Sequence, residues 1–215
     1  MAKQTISEQS YPSTPSSGYG SIWPDSTAPQ WFTKDDAGRA WGRSFNAAVA
    51  SQGAGFATDT YVTNSDILIP SFGLQAKTSI TWRLSASKTA AGTATPVYNI
   101  RIGAARTTAD TARLTLTGPA QTAVADIGTL YITVTVRTVA ASGVIQGTAW
   151  WVHRGTAAST TVSGVGFAND TTGHVEGTSA GFDNSALGGS YVGLSIDGGA
   201  SAAWTLTQVR AEVDW

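Results

Sequence analysis

The chain has 215 residues, a formal net charge of −1, 13% charged residues and no cysteine. That length accommodates one β domain with a substantial core plus a shorter appendage. The near-neutral balance argues against a general polyanion binder, which needs clustered Lys and Arg. The missing cysteine removes disulfides, thiolate metal sites and thiol catalysis together.

Residues 1–50 read as an extended N-terminal attachment arm. Pro12, Pro15, Pro24 and Pro29, four of the chain's seven prolines, lie there among Ser, Thr and Gly. Such a segment cannot bury enough apolar surface to offset its ordering entropy. Yet it carries Trp23, Trp31, Phe32 and Trp41, large aromatics that ordinary linkers lack. Aromatic anchors on a Pro-rich tether point to docking in pockets, either on a neighbouring chain or back on the domain itself. Its first residues, MAKQTISEQSYPS, carry no apolar stretch of the secretory kind. No run reaches the roughly 18 apolar residues of a membrane span. The expectation is therefore a chain soluble in the cytoplasm where it is made, with no membrane insertion and no nucleic-acid partner.

Residues 51–215 read as a β domain, because the apolar residues recur every second position. In 78–87, Ile80, Trp82, Leu84 and Ala86 alternate with Ser79, Thr81, Arg83 and Ser85. Tyr98, Ile100 and Ile102 follow, then Leu114 and Leu116. In 129–138, Leu130, Ile132, Val134 and Val136 face inward while Tyr131, Thr133, Thr135 and Arg137 face out. Val192, Leu194 and Ile196 repeat the pattern. The last strand changes phase between Leu206 and Val209, which predicts a bulge near Thr207–Gln208. The segment 104–112 reads as a possible helical turn, 34–50 is ambiguous, and 155–178 reads as a long loop. The fold class is all-β: an antiparallel sandwich, jelly-roll-like by strand count, with the extended arm in front.

Chemistry-bearing motifs are sparse. His153 and His174 have no HxxxH or HExxH spacing, so no metal site is expected. No G-x-S-x-G elbow occurs. The Asp residues sit in turn contexts that suit Asp for local hydrogen bonding, so the expectation is a non-enzymatic chain with no catalytic residues and no cofactor. Trp150 and Trp151 are the more informative pair. Adjacent strand residues point to opposite faces, so one indole enters the core and the other is exposed, lies under cover, or meets a subunit or a sugar. Tyr131 projects from the polar face of a strand that could neighbour theirs. Together these three are the candidates for a subunit interface or ligand platform.

Seven short stretches in order carry a resemblance. They are Gly73–Thr78, Trp82-Arg83, Lys88–Ala94, Thr108–Arg113, Ala123–Gly128, Ser179–Asp183 and Gln208–Glu212. In these the chain resembles a diffuse family of structural proteins of tailed bacteriophages, jelly-roll-like decoration, head-fibre or tail-associated proteins. The resemblance implies a virion component assembled in the host bacterial cytoplasm, with other capsid or tail proteins as partners. It also implies a homo-oligomer, a trimer in the first instance, with a host-surface glycan as an alternative ligand. It implies no defined chemistry.

Overall fold

Strands form where the period-two stretches lie, and Thr, Val and Ile fill them because branched side chains suit a pleated, half-buried surface. The computed structural model describes residues 12–27, 30–91, 93–121, 123, 125–153, 174–199 and 204–215, and has no helix among them. The strands in chain order are β1 (Ser21–Pro24), β2 (Trp31–Lys34), β3 (Ala40–Trp41), β4 (Arg43–Ala48) and β5 (Gln52–Gly55). Then come β6 (Thr60–Tyr61), β7 (Ile67–Leu68), β8 (Ser79–Lys88), β9 (Val97–Gly103) and β10 (Thr111–Thr117). The remainder are β11 (Asp126–Thr138), β12 (Val144–His153), β13 (His174–Thr178), β14 (Tyr191–Asp197) and β15 (Trp204–Asp214).

They build three antiparallel sheets. The largest has seven strands in the order β13-β12-β11-β8-β15-β4, with β5 also on β15. The second has five in the order β10-β9-β14-β6, with β7 also on β14. These two pack face to face as a β-sandwich. Strands far apart in the chain pair within each sheet, β8 with β15 and β9 with β14. The third sheet, β1-β2-β3, comes from the N-terminal segment.

The core lies between the two larger sheets. Ile80, Trp82 and Leu84 of β8, Leu130, Ile132 and Val134 of β11, and Val209, Ala211 and Val213 of β15 meet Tyr98, Ile100, Leu194 and Ile196 from the smaller sheet. Two of its tryptophans keep their polar edge satisfied. Trp82 Nε1 donates to the Ser65 carbonyl at 2.7 Å, and Trp204 Nε1 donates to Gln121 Oε1 at 3.0 Å. Each such side chain removes roughly 150–250 Å² from water, about 4–6 kcal/mol of gross burial at 25 cal/mol per Å². On one side the sandwich is drawn shut by glycines. A Cβ at Gly147 would lie 2.6 Å from Leu114 Cδ2, and one at Gly177 would lie 2.9 Å from Leu116 Cδ2. A side chain at either position would force the leucines of β10 to shift away from β12 and β13.

The register shift in β15 falls between Leu206 and Gln208, at the expected bulge. Three expectations change. Residues 104–110 form bends and turns, with no helical turn. The tail of the expected 155–178 loop is strand β13, while 154–173 lie outside the described residues. The N-terminal segment, over its described residues, is not an extended arm. It folds into β1–β3, and β4 then pairs with β15 from Arg43↔Asp214 to Ala48↔Val209. The sheet therefore runs across the expected boundary between 50 and 51.

Candidate binding surfaces

Alternation gives the N-terminal hairpin two aromatic faces. Trp23 and Phe32 are direct cross-strand partners and both are fully buried. Their rings lie 5.7 Å apart, and Phe72 meets Trp23 at 6.2 Å and Phe32 at 5.0 Å. Phe72 also meets Trp215 edge-on at 6.1 Å. The C-terminal indole is thus packed, and its Nε1 donates to Ser44 Oγ at 2.7 Å. Asp25 fastens the end of β1 by accepting from the Thr27 amide at 2.8 Å and from the Ser71 hydroxyl. So Trp23 and Phe32 anchor the segment on its own domain, one of the two outcomes left open by the sequence.

The other hairpin face is bare. Ile22, Thr33 and Trp41 form one cross-strand row, and Trp31 opposes Pro24 beside it. Tyr19, Ile22, Trp31 and Trp41 are 72%, 69%, 55% and 49% exposed. Arg39 holds its guanidinium 5.2 Å from the Trp41 ring centre and ion-pairs with Asp35 at 2.9 Å. Tyr19, Ile22, Thr33 and Trp41 line a shallow groove of about 550 Å³.

The second surface is the outer face of the large sheet. Trp151 turns inward, donates from Nε1 to Tyr98 Oη at 2.8 Å and meets Trp204 edge-on at 5.3 Å. Burial pushes the Tyr98 phenol up, and the Trp151 hydrogen bond opposes this only in part. Trp150 turns outward and is half-buried. It opposes Tyr131 in register, and the rings run near-parallel, 10° apart in tilt with centres 5.4 Å apart. Arg83 continues the row on β8, its guanidinium 5.8 Å from the Tyr131 ring. The three residues singled out in the sequence are thus resolved into one core side chain, Trp151, and an outward pair, Tyr131 and Trp150, that cover part of each other.

The outer face of the smaller sheet is different. Arg101 there points away from the core and is nonetheless buried. Its Nε donates to Ser195 Oγ at 2.7 Å, its Nη1 to the Thr108 carbonyl at 2.9 Å and to the Asp110 carbonyl, and its Nη2 pairs with Asp59. Asn99 donates to the same Asp59 at 3.2 Å and accepts from the Thr115 hydroxyl at 2.8 Å. Asp110 in turn accepts from the Ala105 and Arg106 amides at 2.9 and 2.8 Å. No sequence signal marked this knot, because Asp59 and Asp110 come from loops whose landing place follows only from the tertiary fold.

His174 lies at the start of β13, opposite Trp150, with Nε2 3.5 Å from Glu176. His153 ends β12, its side chain outside the described residues. Among the described residues, no three His, Asp or Glu side chains converge as they would around a metal ion. In comparisons with known proteins, the chain matches no protein-family model and no curated sequence.

Proposed function

We propose that the chain is a non-enzymatic structural protein of a bacteriophage particle, docked on capsid or tail proteins through its N-terminal hairpin and presenting the sandwich outward. The observation that carries this reading is the two-sided hairpin. One aromatic face, Trp23 and Phe32, already holds the domain, so the opposite face, with Trp31 and Trp41, is surplus to intramolecular folding. Monomeric proteins rarely leave clustered aromatics open to water unless a partner covers them. The seven ordered stretches that resemble phage structural proteins supply the class of that partner, and a Thr/Ala/Gly-rich, cysteine-free sandwich suits assembly in a bacterial cytoplasm. Self-association, as a trimer in our reading, belongs to the same proposal.

The test is co-sedimentation with particles from a lysate of the host. Wild-type protein pellets with particles, whereas the double variant Trp31→Ser, Trp41→Ser keeps its thermal midpoint but stays in the supernatant. A variant that pellets like wild type sinks the docking role. Sedimentation of the isolated protein at tens of micromolar reads the oligomer separately.

A second reading, a glycan- or receptor-binding module of the particle, is favoured by one observation, the outward Tyr131–Trp150 pair beside Arg83.

A further inference from the structure

One row of side chains crosses the outer face of the large sheet. In register from β15 to β13 it runs Arg210, Arg83, Tyr131, Trp150 and His174. Residues directly opposite on an antiparallel pair share a face with Cβ atoms about 4.5–5.5 Å apart, where like charges destabilise the pair. Arg83 and Arg210 are such a pair. Arg210 is relieved by an ion pair from its Nε to Glu212. Arg83 is exposed, touches the Tyr131 ring, and has no carboxylate partner among the described residues. The sequence therefore keeps an uncompensated cation beside a second one, next to an aromatic pair that is itself half open to water. Ordinary sheet surfaces avoid both.

We propose that this row is a binding site for an acidic polysaccharide, a chain of carboxylate-bearing sugars. A sugar carboxylate lies between the Arg83 and Arg210 guanidiniums, whose planar forks match carboxylate geometry. The apolar face of an adjoining sugar ring lies across the exposed edges of the stacked Tyr131 and Trp150 rings. One register step away, Thr81, Thr133 and Thr148 form a parallel row of hydroxyls, Thr81 and Thr133 being 3.4 Å apart, which can exchange hydrogen bonds with sugar hydroxyls. From β15 to β12 is three interstrand steps, about 14 Å at 4.8 Å each, so the site takes an oligosaccharide stretch and not a single sugar. Glu212 competes with the ligand for Arg210. This inference is independent of the particle-docking role, since it uses neither the hairpin nor any virion partner.

The experiment is affinity electrophoresis of the full-length protein in native gels at physiological salt. The gels hold polygalacturonate or alginate, with neutral dextran and blank gels as references. The wild type is retarded by a polyuronate and not by dextran. Arg83→Gln and Trp150→Ala each weaken the apparent affinity about tenfold, the factor equal to 1.4 kcal/mol, with unchanged near-ultraviolet circular dichroism. Glu212→Gln, which frees Arg210 and leaves the aromatic pair untouched, strengthens it. No retardation by either polyuronate, or equal retardation of the Arg83→Gln variant, overturns the proposal. Equal retardation by dextran also overturns it in favour of an uncharged stacking platform. Release of bound polyuronate by stoichiometric oligothymidylate overturns it in favour of single-stranded nucleic acid. Loss of co-sedimentation with particles leaves these readouts unaffected, so the two proposals fail separately.

Discussion

The two outer faces of the sandwich are written in the same alphabet and behave oppositely. On the smaller sheet, outward Asn99, Arg101, Thr115 and Ser195 are roofed by Asp59 and the 104–110 turn, and Arg101 spends its guanidinium on four partners. On the larger sheet, outward Arg83, Tyr131 and Trp150 contact one another, and no described loop crosses them. A polar residue pointing away from a core is therefore not yet a surface residue. Among the described residues, what separates the two is a second layer of loop over the smaller sheet, and the open face has groups left for a partner.

The sharpest way to break this comparison is to remove one buried partner. Arg101→Ala leaves Asp59 without its guanidinium and the Thr108 and Asp110 carbonyls without their donor. Loss of one member of a buried ion pair costs about 3–5 kcal/mol, and the part-exposed Asp59 places this case at the lower end. Urea denaturation reads the change as a lower midpoint at constant slope. A variant within about 0.5 kcal/mol of wild type would mean the knot is as dispensable as the open face.

Next in size is the hydrogen bond that ties the sheets together inside. Tyr98→Phe leaves the Trp151 Nε1–H without its acceptor, which costs about 1–3 kcal/mol near neutral pH. Burial raises the Tyr98 phenol in the folded state, so the folded protein holds that proton more tightly than the unfolded chain. The associated stability is fully present below the unfolded tyrosine value of about 10, and is lost as pH rises beyond it. Above pH 10 the wild type therefore loses stability steeply and Tyr98→Phe less so. The slope does not vanish, because Tyr61 is also raised by burial, with Asp66 adding to the effect. Identical slopes above pH 10 would remove Tyr98 as the source.

Much of the fold was legible, and the reasons can be named. Alternation in β8, β11 and β15 is unambiguous because one face packs mainly against apolar residues, and even the phase change at Leu206 marked the bulge. The hairpin was harder. Its strands are four residues or fewer and are broken by Pro24 and Gly42, so period two had no length in which to emerge. Trp23 and Trp31 look alike in sequence, and only the pairing of Trp23 with Phe32 above Phe72 decides which indole is inside. Of the aromatic platform, the opposition of Trp150 and Trp151 was readable from adjacency alone. That Tyr131 stands beside Trp150 required the register of the β11–β12 hairpin, and that Arg83 faces Arg210 required the pairing of strands separated by a long stretch of chain.

A smaller effect sharpens the account of the open face. Tyr131 and Trp150 should couple by about 0.5–1.5 kcal/mol beyond burial, as aromatic pairs do. A double-mutant cycle of Tyr131→Ala and Trp150→Ala in thermal unfolding isolates that figure. Zero coupling would mean the rings only happen to lie near each other, and each would then be free to contact a partner separately.

The smallest expected effect is on Arg83, and it carries the comparison's other half. Arg83→Ala removes a cation–π contact at an exposed site, where such contacts contribute about 0.5–1 kcal/mol. It also removes the repulsion from Arg210 directly opposite. The two terms have opposite signs and similar size, so the thermal midpoint should stay within the range of an ordinary surface substitution, about ±0.5 kcal/mol. Raising the ionic strength separates them. Salt screens the Arg83–Arg210 repulsion over a Debye length of about 10 Å at 0.1 M and about 3 Å at 1 M. It leaves the burial of the arginine stem against Tyr131 intact. The wild type should therefore gain slightly on Arg83→Ala as salt is added, and the gap between them should move in one direction. A loss approaching that of Arg101→Ala would show that this face too is held together by its arginine, and its side chains would no longer be spare for a ligand.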